Sequence, residues 1–341
     1  KKVTDDTTAV SLFKTTMASY SVRKHVTPRH LARSENLAML SAHQSSTFAA
    51  EESLMSVASQ RFPRGLVILA GILVGIIIGP LLVAHAEEPR PIRALLILGG
   101  CCHDYKTQQT LLTQGLSARI NVQWAISYDP DTGTKHLNPR YENEDWANGF
   151  DLIVHDECCS DVKDPQIVER ILKPHREGLP AVILHCGIHS YRSEGYPNST
   201  PWFDFTGLAS TGHGPQAPIE IKYLDDDRKI ASGLKGWTTQ NEELYNNSAG
   251  RLLDTARPLA VGRQVFKNNE GKEVTADAIC VWTNQYREKT RVFATTLGHN
   301  NATVGDARYL DMVSRGLLWA VGKLDDPSYA RPASKVLIDT P

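Results

Sequence analysis

Three apolar runs in this chain each end in side chains that can transfer protons, bind metal or form disulfides. Residues 93–100 lead into Cys101-Cys102-His103-Asp104-Tyr105, residues 150–154 into His155-Asp156-Glu157-Cys158-Cys159, and residues 179–184 into His185-Cys186-Gly187. An unperturbed imidazole titrates near neutral pH, so it can give or take a proton under working conditions. Imidazoles and carboxylates together are also ligands for divalent metals. Parallel strands finish at one edge of a sheet, and ligands bind in the crevice outside those carboxyl ends. If the three runs are neighbouring parallel strands, their reactive ends share one rim.

The elements needed to build that rim are legible. Residues 93–100 form a continuous apolar run of the kind buried on both faces of a sheet. Residues 107–118 place Leu111, Leu112 and Leu116 at helical spacing, residues 120–127 read as a strand, and Asp129-Pro130-Asp131-Thr132-Gly133 as a loop. Asp164-Pro165 starts a helix, with Asp as cap and Pro in the first turn, and Pro174 ends or kinks it. Strand and helix alternating in series predict right-handed crossovers and an α/β fold with a doubly wound, mostly parallel sheet. Beyond Ser190 comes a long loop with Tyr191, Tyr196, Pro197, Pro201 and Trp202, then strand-like pieces at 219–224, 258–265, 278–283 and 291–297. Residues 306–322 read as an amphipathic helix with Leu310, Val313, Leu317 and Val321 on one stripe.

The start of the chain has a different character. Residues 1–64 lack strong periodicity and are expected to be a disordered or non-native leader. Residues 65–83 are unbroken in apolarity, follow Arg61 and Arg64, and precede the small-x-small triplet Ala84-His85-Ala86. Residues 65–86 are therefore read as a secretory signal peptide, with an uncleaved membrane anchor as the alternative. Both readings place the remainder outside the cytoplasm, periplasmic or at the cell surface, with membrane contact only through residues 65–83. Residues 87–324 are expected to be one domain and 325–341 a tail draped over its surface.

Residues 1–86 hold 9 Lys+Arg and 5 Asp+Glu, which leaves 28 against 33 in the remainder, a net of −5. With no basic block interleaved with aromatics, nucleic acid is not an expected partner. All six cysteines follow residue 86. An exported chain with an even number of cysteines is expected to form disulfides. The expected bridge joins the Cys101-Cys102 pair to the Cys158-Cys159 pair. No spacing matches a zinc finger or a Cys-x-x-Cys redox site, so a thiol redox role ranks last.

Several stretches taken in order resemble the ThuA-like family, named for trehalose utilisation. They are Gly99 to Tyr105, Leu184-His185, Gly207 to His213, Glu242-Glu243-Leu244-Tyr245, Arg291-Val-Phe-Ala-Thr-Thr-Leu-Gly-His299 and Arg315-Gly-Leu-Leu-Trp319. The resemblance spans about residues 92–324. It implies a flavodoxin-like fold related to class I glutamine amidotransferases and a link to sugar catabolism. In those amidotransferases the elbow after the strand carries a nucleophilic cysteine. Here His185 stands at that elbow and Cys186 one place later, so glutaminase activity is not expected.

His185, His299 and Glu243 are the candidate catalytic residues. His185 ends a buried strand at the elbow, where the bland alternative is a hydrogen-bonded core histidine. His299 follows Gly298, which permits a sharp turn toward a ligand, and is otherwise a turn residue. Glu243 reads either as a solvated acid or, by the resemblance, as a pocket group beside Tyr245. His103, Asp104, Tyr105, Asp156, His213 and Tyr245 are the candidate substrate-binding residues, with helix capping the alternative for Asp104. His155 and His189 have weaker claims. His185, His299, His103 and Glu243 also supply enough N and O ligands for a divalent metal such as zinc, although no His-Glu-x-x-His spacing is present.

The expected function is that of a carbohydrate-processing enzyme of the hydrolase, isomerase or lyase type, acting on a modified glycoside by histidine acid-base chemistry. Tyr105, Tyr191, Trp202 and Tyr245 are candidates to stack on sugar faces. The alternative is a non-catalytic sugar-binding or scaffold module.

Overall fold

The computed structural model describes residues 89–224, 229–247 and 252–330, and the backbone of 338–339. The leader at 1–64 and the signal or anchor at 65–86 lie outside these residues. In chain order the regular elements are β1 (Ile92–Gly100), α1 (Tyr105–Ser117), β2 (Val122–Asp129), β3 (Leu152–Cys158), α2 (Pro165–Arg176), β4 (Ala181–Leu184), α3 (Pro201–Thr206), β5 (His213–Tyr223), β6 (Trp237–Tyr245), β7 (Ala256–Lys267), β8 (Glu273–Tyr286), β9 (Thr290–Thr295), α4 (Asn301–Val304), α5 (Ala307–Ala320) and β10 (Ile338–Asp339). Among the described residues no helix is long and apolar enough to cross a membrane.

The strands form one ten-stranded sheet in the order β10-β2-β1-β3-β4-β9-β8-β7-β5-β6. From β10 to β9 every pairing is parallel, and from β9 to β6 every pairing is antiparallel. The wound α/β architecture expected from the sequence is therefore present, with a mixed sheet whose parallel strands are central. Period-two alternation divides β1 between two cores. Ala94, Leu96 and Leu98 pack with Leu112, Leu116, Val313 and Leu317 of α1 and α5, while Leu95 and Ile97 pack with Ile171, Leu172 and Phe205 of α2 and α3. Burial on both faces is why the central strands read as unbroken apolar runs, each buried Leu or Ile contributing about 1.5–3 kcal/mol.

The helices begin where the sequence places caps. The Asp104, Asp164 and Asp306 side chains accept from the backbone N–H of Thr107, Gln166 and Arg308 at the starts of α1, α2 and α5. Pro174 sits in the last turn of α2, which ends two residues later at Arg176. One strand goes unread in the sequence and one expectation is corrected. Strand β6 falls in a stretch without strong β signals, because its Thr, Gln, Asn and Glu residues mask a run that pairs with β5. The tail also does more than drape, since Ile338 and Asp339 pair in parallel with Trp124 and Ala125 of β2.

Candidate functional site

β1 and β3 run side by side while β2 lies on the other flank of β1, so chain connections diverge at this point of the sheet. The carboxyl ends beside that divergence are the expected place for a ligand. His103 follows β1, His185 follows β4, His299 follows β9, and Glu243 lies near the end of β6. One ligand atom from each of these four residues falls within 4.8 Å of all the others. Residues separated by up to 196 positions thus meet at one spot.

Local contacts aim each side chain. His185 has φ +38°, a left-handed conformation that costs a non-glycine residue on the order of 1–3 kcal/mol and recurs at functional turns. Its Nδ1 donates to the Thr296 carbonyl at 2.6 Å, which leaves Nε2 to face the Tyr245 hydroxyl at 3.2 Å and Glu243 Oε2 at 3.6 Å. His103 Nδ1 lies 3.2 Å from both the Cys101 carbonyl and the Tyr105 hydroxyl, and its Nε2 is 3.1 Å from His299 Nδ1. His299 Nδ1 is also 3.3 Å from Glu243 Oε1.

The loop carrying His299 is held from two sides. Gly298, at φ +123°, leaves only 3.1 Å between an added Cβ and the Tyr309 hydroxyl. The buried Glu242 carboxylate accepts from the backbone N–H of Gly298, His299 and Asn300, and Gln108 Nε2 donates to the carbonyls of Gly298 and His299. Glu242 and Gln108 are positioning residues that the sequence reading missed. Their common signal is polarity where the fold requires burial, which becomes visible only once β6 and the buried side of α1 are known.

The site is electrostatically asymmetric. Burial together with the neighbouring His185 and His299 pushes His103 down to about 2, so its ring is neutral. Burial drives the Glu243 carboxyl upward, but contact with His185 and His299 outweighs it and holds the group well below the usual carboxylate range. Contact with Glu243 raises His299 above its ordinary value against the opposing effect of burial. Burial beside Glu157 pushes the Asp156 carboxyl well above the usual carboxylate range.

The other predicted residues divide in two. Tyr245 is buried, donates toward His185 and stacks on His189 with ring centroids 3.9 Å apart; His213 is exposed at the mouth with Nε2 3.6 Å from Glu243 Oε2. Tyr105 is buried behind His103. Asp104, by contrast, is exposed, caps α1 and accepts from Asn301, which is the bland alternative. Tyr191 and Trp202 do not face a ligand. Both are fully buried in the α2–α3 layer, where Tyr191 donates to Glu157 and Trp202 to the Gly187 carbonyl. His155 is sealed in the same layer between Glu157 and His175.

The expected disulfide between vicinal pairs does not form. Cys101 bonds to Cys102 and Cys158 to Cys186, while Cys159 and Cys280 are free and buried. The adjacency behind the expectation is real, since Cys101 and Cys158 Sγ lie 3.5 Å apart, but the elbow brings Cys186 to the same place. A cavity of about 780 Å³ opens at the opposite end of the strands among Arg90, Asp151, Gly178 and Arg291. It holds none of the four clustered residues.

Comparison with known proteins bears on the fold and the family. In solved structures the fold is similar to a ThuA-like protein from Parabacteroides merdae, 20% identical, covering 68% of this chain and 90% of that one with a TM-score of 0.50. It is also similar to a ThuA-like protein from Bacteroides uniformis, 15% identical, covering 70% and 94% with a TM-score of 0.49. Gan42B, a GH42 beta-galactosidase, is 12% identical, with 71% of this chain and 31% of that one covered and a TM-score of 0.40. No protein with a curated description matches the chain. The family described as "ThuA: Trehalose utilisation" matches residues 99–320, which include His103, His185, Glu243 and His299, and the chain belongs to that family.

Proposed function

We propose that this chain is an exported enzyme that processes a carbohydrate, most directly a modified glycoside, by proton transfer at the cluster of His103, His185, Glu243 and His299. The observation that carries the reading is the convergence of these four groups at the carboxyl ends of the strands. Proton transfer is the step that hydrolysis, isomerisation and elimination of sugars have in common. His299 Nδ1 and Glu243 Oε1, 3.3 Å apart, are close enough to share a proton, and the neutral His103 faces His299 across 3.1 Å. The exposed His213 lies beside Glu243 at the solvent side of the cluster, and the buried Tyr245 hydroxyl supports His185 from behind.

The family's association with trehalose utilisation supports a carbohydrate as the substrate class. A cysteine nucleophile is disfavoured, because Cys186 is bonded to Cys158. Export is supported by the apolar stretch at 65–83 and by two disulfides in the folded part.

The test is a panel of disaccharides and glycosides, each offered unmodified and with one hydroxyl oxidised to a ketone, with products followed by NMR. The wild-type chain is expected to convert at least one class, and Glu243→Gln and His299→Gln to lose at least about a hundredfold in rate while remaining folded. Binding without turnover of any member would replace the enzyme with a sugar-binding module.

A further inference from the structure

The hydrogen bonds around the cluster aim several acceptors at one spot. A backbone carbonyl can only accept, so His185 Nδ1 carries its proton toward Thr296 and His185 Nε2 presents a lone pair, which the Tyr245 hydroxyl reaches from one side at 3.2 Å. A proton on His103 Nδ1, directed to the Cys101 carbonyl with the Tyr105 hydroxyl beside it, leaves His103 Nε2 with a second lone pair. Glu243 contributes carboxylate oxygens 3.3 Å from His299 Nδ1 and 3.6 Å from His185 Nε2. His299 Nδ1 faces both His103 Nε2 and Glu243 Oε1. Electron pairs from three residues thus converge on one spot.

We propose that this spot binds one divalent first-row transition metal, with His103 Nε2, His185 Nε2, His299 Nδ1 and a Glu243 oxygen as its ligands. The inference rests on the proposed function only in placing the reaction at this cluster. Three imidazole nitrogens and one carboxylate suit the manganese-to-zinc series rather than magnesium or calcium, which take oxygen ligands. With bonds of about 2.1 Å, adjacent ligands on an octahedral ion are about 3.0 Å apart and opposite ones about 4.2 Å. The observed separations of 3.1, 3.3 and 3.6 Å, the last two to different oxygens of Glu243, lie in that range, and the 4.8 Å within which all four groups fall closes to it by small side-chain rotations.

The surroundings match those of metal-binding histidines. Such ligands commonly donate their second ring nitrogen to a carbonyl or carboxylate that fixes the tautomer, as Thr296 does for His185 and Cys101 for His103. Four protein ligands leave two positions on a six-coordinate ion. Those positions suit two neighbouring sugar oxygens, a hydroxyl beside a ketone or a pair of vicinal hydroxyls, entering where His213 is exposed. The transferable proton is then carried by a water or sugar hydroxyl on the ion, and the His299 proton is displaced on loading.

The test uses the full chain, purified without chelator, assayed for metal by elemental mass spectrometry, stripped with dipicolinate, and titrated with Zn²⁺ and Mn²⁺ by calorimetry and with Co²⁺ by visible absorption. One ion per chain is expected, with Glu243→Gln and His299→Gln each weakening Zn²⁺ binding at least tenfold and an unchanged circular dichroism spectrum. A stripped chain that takes up no ion, or that binds Zn²⁺ equally in wild type and both variants, overturns the proposal. Sugar turnover that persists in a chain shown to be free of metal, together with no ion uptake at this spot, overturns the metal while leaving the proton-transfer reading standing. Stoichiometric metal without turnover of any sugar keeps the metal site and removes the enzymatic reading.

Discussion

His185 Nδ1 and the Thr296 carbonyl, 2.6 Å apart, join the turn after β4 to the end of β9 and fix which His185 nitrogen faces the site. His185→Ala leaves that carbonyl and the Tyr245 hydroxyl without their partner in the interior. The expected stability loss is about 1–3 kcal/mol, measured by urea unfolding. Turnover is expected to fall further than this loss explains when it is assayed well below the unfolding midpoint.

Adjacent acids on β6 are expected to differ in how stability and turnover are coupled. Glu242 accepts three backbone N–H groups of the loop bearing His299, so Glu242→Gln should cost about 2–4 kcal/mol through weakened charge-assisted bonds, with turnover falling as the loop loosens. Glu243→Gln removes a carboxylate that His185 and His299 hold ionised, so it also lowers stability near neutral pH, but it should remove turnover even where the variant is fully folded. Turnover retained in folded Glu243→Gln would contradict the assigned roles.

The α2–α3 layer makes a pH prediction that is independent of the site. Burial beside His155 pushes His175 down to about 3, while its Nδ1 donates to the Leu179 carbonyl. Below about pH 6.5 the unfolded chain takes up a proton there that the folded chain does not, so this contribution reduces stability as pH falls to about 3, by about 1.4 kcal/mol per pH unit. The groups facing His175 include His155 and, beyond it, Glu157. His175→Gln is expected to flatten the stability profile over that window relative to wild type, and identical profiles would refute the assignment.

Cysteine accessibility checks the corrected pairing. With bonds Cys101–Cys102 and Cys158–Cys186, alkylation of the native chain should label none of the six cysteines, because the free Cys159 and Cys280 are buried. Unfolding without reductant should expose those two. Peptide mapping that links Cys101 or Cys102 to Cys158 or Cys159 would contradict the pairing.

Legibility in the sequence followed the physics of each element. β1, β3 and β4 are buried on both faces, so their apolar runs and the reactive residues after them stand out. The caps at Asp164 and, as the alternative reading, at Asp104 are local and were equally visible, while Asp306 was read only as the start of its helix. β6 was hidden because Glu242 and Glu243 are buried acids, and a strand whose polar residues are satisfied by distant backbone looks solvated in one dimension. Tyr191 and Trp202 were misplaced for a related reason, since a loop rich in aromatics reads as a binding surface until its packing against α2 and α3 is known. The cysteine pairing depends on which side of the elbow faces β3, information that spacing does not carry.

The claim that His103, His185, Glu243 and His299 form one centre is tested most directly by diffraction from crystals grown with Zn²⁺, recorded at the zinc absorption edge. One strong anomalous peak is predicted, within about 2.0–2.3 Å of His103 Nε2, His185 Nε2, His299 Nδ1 and a Glu243 oxygen. Zinc found only on surface groups, with the three imidazoles turned away from one another, would contradict it.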